Sequence, residues 1–400
     1  MSNDITLPSV LIEKMLWNLP TEEIVRTSVL SKEWRYFWTK IPKVVFREDL
    51  FDDDSTDENL EEQPWKRRKK SRRCKLFNAM YNFLLLHQGP ILDFTLSMRV
   101  TEPCDTSIYC VEIDQILLHL SLKNTVKKLH LTSTCDLPLS IFSFHQLTDL
   151  HLFGCSFKKS PTTFNGYGSL TTLYLKYVDI YRKTLVHILS HNPLLKSFTL
   201  LTGCDGDIHI TNNEDEFEDA TIIDLFKYLP VIEHFAFCVS DIRCFGGGAL
   251  PQALAAPLVH LKSLCLERMC FLEQDWLCFL VLMIRSSPNL EKLKLEMSCE
   301  DTGHWNYFAE DDFYPVTMQD YSDIRLEHLI ELEMESFGSN KLNLDFVKLI
   351  LAKSPVLKTV RLMVYSKDEE LKILRSLVSS PRASPMVEIV GVSEGGKECN

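Results

Sequence analysis

An apolar-x-x-apolar-x-apolar pattern recurs ten times along this 400-residue chain, and it restricts the fold more than any other feature. It begins as Ile91-Phe94-Leu96, Val126-Leu129-Leu131, Leu147-Leu150-Leu152, Leu170-Leu173-Leu175 and Leu195-Phe198-Leu200. It continues as Ile232-Phe235-Phe237, Leu261-Leu264-Leu266, Leu290-Leu293-Leu295, Leu329-Leu332-Met334 and Leu357-Val360-Leu362. Alternation within each copy is a strand signal with one face buried. Helix-period runs separate many copies, among them Ile222 to Leu229, Trp276 to Ile284 and Phe346 to Leu351. Pro193, Pro230, Pro288 and Pro355 each stand two residues ahead of the next copy, where proline blocks helix continuation and favours extended backbone.

Successive copies start 21 to 39 residues apart. A strand-turn-helix-turn unit repeated at that spacing is the signature of a leucine-rich-repeat solenoid. The expected class is therefore α/β, a horseshoe with a parallel β-sheet on its concave face and helices outside. Side chains between the buried positions line the concave sheet, from Lys128 and His130 to Thr359 and Arg361. That ladder is polar, mixed in charge and poor in aromatics, so by itself it makes a thin protein interface. His130 and His151 fall at equivalent places on neighbouring strands, about 5 Å apart, with Asp149 nearby. They read as ordinary polar concave residues rather than a metal site, which needs three well-aligned ligands.

The composition, 45% apolar and 24% charged, is globular. The longest apolar run, Leu277 to Ile284, is far short of the roughly 18 residues that a membrane span needs. An odd cysteine count of 13, no Asn-x-Ser/Thr acceptor and a start without a signal pattern point to reduced thiols in an intracellular protein. The net charge of -12 is uneven: residues 1–75 hold 15 Lys and Arg against 14 Asp and Glu, leaving 28 against 41 for the rest. An acidic body argues against nucleic-acid binding, because phosphate contacts need a basic face.

Ahead of the repeats, Leu7 to Pro42 is dense in apolar residues at helical spacing: Leu7-Pro8, Leu11, Ile12, Met15, Leu16, Leu19-Pro20, Val25, Val29, Trp34 and Trp38. A unit of about 40 residues is near the lower limit for a self-sufficient core, so it calls for a partner surface. Nine acids follow between Glu48 and Glu62, then a basic cluster from Lys66 to Lys75. Blocks of that kind bury too little apolar area to offset ordering entropy and read as a flexible linker. The basic cluster from Lys66 to Arg73 is also similar to a nuclear import signal.

Leu7-Pro8, Leu19-Pro20 and the run Arg26-Thr27-Ser28-Val29-Leu30-Ser31-Lys32-Glu33-Trp34-Arg35 resemble an F-box, with an acid at Glu33 where that motif usually has a base. Leu84-Leu85-Leu86-His87-Gln88-Gly89-Pro90-Ile91 and Ser380-Pro381-Arg382-Ala383-Ser384-Pro385 resemble segments of the plant F-box/leucine-rich-repeat family that often carries an FBD region. The resemblance implies a small all-α F-box module over 1–47, a charged linker over 48–75, a solenoid with an FBD-like end over 76–390 and a flexible tail over 391–400. It further implies a substrate receptor of an SCF-type ubiquitin ligase, located in the nucleus, the cytoplasm or both. The module would hold the Skp adaptor, and through it a cullin-RING ligase, while the repeats hold a target protein. Leu7, Pro8, Ile12, Leu16, Leu19, Pro20, Val29, Trp34 and Trp38 are the expected adaptor contacts or module core. A non-ligase scaffold and a small-ligand sensor are the alternative readings.

Three long insertions follow strands: 202–220, 239–257 and 299–324. The third holds Trp305, Tyr307, Phe308, Phe313, Tyr314 and Tyr321 beside seven acids and no Lys or Arg. Long loops in a repeat array are commonly functional or disordered, so this acidic-aromatic segment is the candidate contact for a basic stretch of the target; the alternative is that its aromatics pack back on the solenoid flank. An enzyme is not expected: Gly-x-Ser-x-Gly, His-Glu-x-x-His and Cys-x-x-Cys are all absent from the sequence. Gly391 to Lys397 is only superficially similar to a phosphate loop, lacking the Ser/Thr that would hold magnesium. No cofactor or metal is expected.

Overall fold

The computed structural model describes residues 11, 15, 19, 21–29, 34–51, 64–99, 107–157, 160–201, 210, 211, 221–245, 250–298, 321 and 323–393. They form two compact units, 1–192 and 193–400.

The first unit carries parallel strands β1 (Lys43–Arg47), β2 (Asp93–Ser97), β3 (Lys128–Thr132), β4 (Asp149–Phe153) and β6 (Thr172–Lys176). A short strand β5 (Ser156–Phe157) pairs with β7 (Asp179–Tyr181) in a separate small sheet. The main register is unbroken, Lys43 opposite Asp93, Asp93 opposite Lys128, Lys128 opposite Asp149 and Asp149 opposite Thr172. Each strand begins in the same way. Leu92 N and Asp93 N both donate to Pro42 O, Lys127 N and Lys128 N to Leu92 O, and Thr148 N and Asp149 N to Lys127 O. Helices α1 (Thr21–Arg26), α2 (Pro64–Leu86), α3 (Ser107–Lys123) and α4 (Arg182–Ser190) alternate with these strands.

The second unit repeats the plan with β8 (Ser197–Leu201), β9 (Ile210–Thr211), β10 (His234–Cys238), β11 (Ser263–Met269), β12 (Lys292–Met297), β13 (Glu331–Glu335), β14 (Thr359–Val364) and β15 (Glu388–Ser393). Helices α5 (Ile222–Phe226), α6 (Gln274–Ser286), α7 (Lys341–Lys353) and α8 (Lys367–Val378) lie between strands. Asn340 and Ser366 cap α7 and α8, their side chains accepting from Asn343 N and Glu369 N.

Every residue of the ten apolar motifs is buried, none more than 3% exposed. Each such side chain contributes roughly 1.5–3 kcal/mol of transfer free energy. Because side chains alternate, the same strands turn every second residue outward. The turn after a strand takes a left-handed residue at Gly154 (φ 73°), and at Tyr177 (φ 54°) and Ser336 (φ 52°) as well. A non-glycine there costs of order 1 kcal/mol or more.

Three boundaries differ from expectation. Lys43–Arg47 is a repeat strand and not the end of an all-α module, because Ile41-Val44-Phe46 carries the repeat pattern and all three are buried. The charged linker over 48–75 does not hold at its ends. Glu48–Phe51 is a 3-10 turn, and Pro64–Leu86 is one helix reaching back through the basic cluster. A buried ion pair orders that helix, since Arg73 meets Glu48, and Leu76, Phe77 and Met80 add an apolar face. The tail expected from 391 starts inside β15, whose Gly391 replaces the third apolar residue; Glu370 Cγ lies 2.5 Å from where a Cβ on Gly391 would be.

Candidate interaction surfaces

The N-terminal module is anchored to the first repeat strands both through α1 and through the 3-10 helix Trp34–Lys40. Thr21 Oγ1 accepts from Val45 N at 2.7 Å, and Ile24 is buried. Trp38 packs on Phe83 with ring centroids 5.4 Å apart, and Phe83 stacks on His87 at 5.1 Å. Burial lowers the His87 pKa. The neutral ring's Nε2 lies 2.9 Å from Ile41 O, while Gln88 N and Gly89 N both donate to Thr39 O. The Leu84-to-Ile91 segment is thus a clamp closing on residues 39–41. Trp38 faces this junction, whereas Val29 is 85% exposed, with Leu11 and Met15 exposed as well. Leu19 is half-buried. Leu7, Pro8, Ile12, Leu16 and Pro20 lie outside the described residues, and Trp34 is described in its backbone alone, as the first residue of a 3-10 helix.

On the outward face of the first unit, register brings His130 beside His151 and His151 beside Tyr174. The two imidazoles stack at 4.2 Å between centroids, and His151 stacks on Tyr174 at 5.3 Å, with interplanar angles of 27° and 20°. Burial, and then repulsion from His130, lowers His151 to about 4; burial also lowers His130. Both rings are therefore neutral near pH 7. Phe153 meets Tyr177 edge to face at 5.1 Å, and Lys176 Nζ sits 5.1 Å from the Tyr177 centroid. The sequence placed His130 beside His151 on neighbouring strands, as observed; that Tyr174 joins them as a third stacked ring follows from the register. Face-to-face imidazoles do not converge their nitrogens on a common point. No group of three or more His, Cys, Asp or Glu among the described residues is placed to hold a metal.

The second unit's outward face is ionic. Lys292 lies 3.2 Å from Glu331, Lys294 lies 3.0 Å from Glu333 and 2.5 Å from Glu335, and Arg361 lies 2.9 Å from Glu331. Burial opposes the charge on Lys294, but hydrogen bonds to Glu335 and Glu333 outweigh it and raise the pKa. Beside the starts of these strands is an open groove of about 580 Å³, whose lining mixes Val259, Val356 and Ile330 with Lys262, Glu291 and Lys358.

The FBD-like close is fixed from within the second unit. Ser384 Oγ donates to Leu357 O at 2.6 Å and Ala383 N donates to Leu351 O at 2.9 Å. Of the third insertion, Asp323 is described and pairs with Arg285 of α6 at 2.7 Å, and Tyr321 OH lies 4.0 Å from Cys278 Sγ. Trp305, Tyr307, Phe308, Phe313 and Tyr314 lie outside the described residues. No helix of the described residues is long and apolar enough to cross a membrane.

Parallel strands with inward leucines, in-phase registers and helices on the other side define a leucine-rich-repeat protein. Residues 114–215 match the family model described as "FBD-associated F-box protein At5g56370, LRR repeats". The chain is 28% identical to the F-box/FBD/LRR-repeat protein At1g13570 of Arabidopsis thaliana, over 96% of this chain and 97% of that one. It is 25% identical to the F-box/FBD/LRR-repeat protein At3g26920 of the same plant, over 96% and 95%. The FBD-associated F-box protein At5g56370, also of Arabidopsis thaliana, is 26% identical over 73% of this chain and 58% of its own length. The resemblance read from the sequence is borne out: this chain is similar, along nearly its whole length, to plant F-box/FBD/leucine-rich-repeat proteins.

Proposed function

We propose that this protein is a non-catalytic substrate receptor of an SCF-type ubiquitin ligase. The N-terminal module binds the Skp adaptor, and the repeats bind a target protein for ubiquitination. The observation that carries the reading is the module's polarity. Trp38 and residues 39–41 are clamped by Phe83, His87 and Gly89, while Val29 stays 85% exposed on a segment matching the F-box run. An apolar residue left that open on a small helical unit is available to a partner. The receptor does no chemistry itself; it raises the effective concentration of target lysines near a recruited conjugating enzyme. The acidic-aromatic segment with Trp305 and Phe308 is proposed as a contact for a basic stretch of the target, to be tested by alanine at both. The basic cluster from Lys66 favours nuclear entry, although Arg73 is buried and so unavailable to an import receptor.

Co-purification with the Skp adaptor tests the central claim, using wild type, Leu19→Ala/Pro20→Ala and Val29→Glu. Stoichiometric binding by wild type, lost in both variants, is expected. A well-folded wild type that does not bind removes the ligase and leaves a repeat scaffold.

A further inference from the structure

Helix α3 (Ser107–Lys123) is apolar on two opposite faces. Its inner face, Ile113, Ile116, Leu117 and Leu120, is buried, each at 2% exposure or less. Its outer face carries Val111, Gln115, Leu118 and Leu122, with Val111 58%, Leu118 48% and Leu122 78% exposed. A helix packed on a core ordinarily keeps its second face polar, as α2 does with Lys75, Asn78 and Asn82. The patch widens toward α2, where Tyr81 OH donates to Gln115 Oε1 at 3.1 Å and Leu85, one turn past Tyr81, is 79% exposed. Apolar surface gathered in this way marks an interaction site.

We infer that this face is an interface between two copies of the chain, with α3 packed antiparallel on α3 of the second copy. Val111, Gln115, Leu118 and Leu122 follow one another at intervals of four, three and four, the seam along which two helices interlock. About a two-fold axis at the middle of the seam, Val111 meets Leu122 of the second copy and Gln115 meets Leu118. The strip is therefore complementary to itself, as a symmetric dimer requires. Gln115, the single polar residue of the four, fixes the register.

Charge selects the occupant and its direction. Glu112 and Lys123 stand three turns apart on one flank of the seam, the flank on which Glu112 acts on Tyr81. Asp114 is on the other flank, where it accepts from Ser140 Oγ at 2.7 Å. Antiparallel packing sets like flanks together, so Glu112 of each copy comes to Lys123 of the other. Parallel packing would set Glu112 against Asp114, two like charges. Glu112 Oε2 is enclosed and has no hydrogen-bond partner among the described residues, so a cation from outside the chain stabilises it. An anionic membrane surface would ask for cations around the patch, whereas acids flank its N-terminal half on both sides.

Sedimentation equilibrium of the full-length chain over a range of concentrations tests this. Wild type should form a dimer, and Leu118→Glu/Leu122→Glu should weaken it by about tenfold or more, because charged side chains enter the apolar seam from both copies. Lys123→Glu should weaken it about fivefold, since two exposed ion pairs become repulsive at once. Adding Glu112→Gln to Lys123→Glu should recover most of that loss, a rescue that misfolding would not allow. Val29→Glu, in the N-terminal module, should leave the dimer unchanged. A wild type that is monomeric throughout, a dimer that survives Leu118→Glu/Leu122→Glu, or one lost on Val29→Glu overturns the interface. A dimer that Lys123→Glu leaves unchanged or strengthens overturns the antiparallel order. Adaptor binding by the same proteins is a separate readout, so the receptor reading and the dimer can fail independently.

Discussion

Arg73 Nε lies 3.4 Å from Glu48 Oε1 with both side chains buried, and Glu48 Oε2 accepts from Arg99 N at 2.8 Å. One carboxylate therefore ties the basic helix to the ends of the first two repeat strands. Removing one member of a buried ion pair is strongly destabilising, because the other charge stays out of water. Glu48→Ala is expected to lower stability by about 3 kcal/mol. Glu48→Gln, which keeps an acceptor for Arg99 N, should cost less. Chemical denaturation of the three proteins checks this, and equal midpoints would mean that the pair does not order the helix.

Gly89 is the tightest point of the clamp on the N-terminal module. A Cβ there would stand 2.8 Å from Lys40 O and 2.9 Å from Lys40 Cα, both backbone atoms that cannot swing aside. Gly89→Ala must push residues 39–40 away and weaken the two bonds that Thr39 O accepts from Gln88 N and Gly89 N. A loss of about 1–3 kcal/mol is expected, the usual cost of forcing an extra carbon into packed surroundings. Limited proteolysis between the module and the first repeat should accelerate in step. Wild-type resistance to protease in the variant would show that the clamp is not closed.

The ten repeat strands were legible because burial on one face writes alternation directly into sequence. The first strand had the same pattern in Ile41-Val44-Phe46, but a long charged interval separates it from Ile91, and charge hid the repeat. The last strand escaped because Gly391 stands where an apolar residue would, making room for Glu370. The helix Pro64–Leu86 was hidden by its basic half: Arg73 is buried only because Glu48, distant in sequence, neutralises it, and no local pattern reports a pairing through space. Of the ring stack, the neighbouring places of His130 and His151 were legible from the repeat spacing, whereas the stacking of Tyr174 on His151 was not, because it depends on ring orientation that no spacing reports.

His151 makes stability fall on acidification. Its folded pKa is about 4, against an ordinary 6.5, through burial first and then repulsion from His130; Asp149 opposes this shift and Lys128 adds to it. The neighbouring His130 also faces Asp93 and Lys43. Between those two pKa values the unfolded chain holds a proton that the folded chain does not, so stability is full above pH 6.5 and declines toward pH 4. The ring is partly exposed, so solvent screening leaves an effect of about 1–2 kcal/mol. His151→Phe should flatten this part of the profile. Denaturation midpoints at neutral and mildly acidic pH read it out; an identical slope in both proteins would refute the assignment to this ring.

Asn192 closes the helix Arg182–Ser190 over the preceding turn. It is 3% exposed, its Oδ1 accepts from Tyr167 N at 3.0 Å and its Nδ2 donates to Ile188 O at 2.7 Å. Asn192→Ala strips a partner from two backbone groups and should cost about 2–3 kcal/mol, because a buried donor left unmade carries its full desolvation penalty. Asn192→Asp separates the two bonds. At neutral pH the carboxylate still accepts from Tyr167 N but turns a repelling oxygen toward Ile188 O. Burial raises the pKa of a new carboxyl, so on acidification it becomes a donor again and the second bond can return. The deficit of the Asp variant relative to wild type should therefore shrink as pH falls, while that of the Ala variant stays constant. Parallel denaturation series on the three proteins decide it: a constant deficit for Asp would mean that the Ile188 bond contributes little and that Tyr167 N carries the role of Asn192.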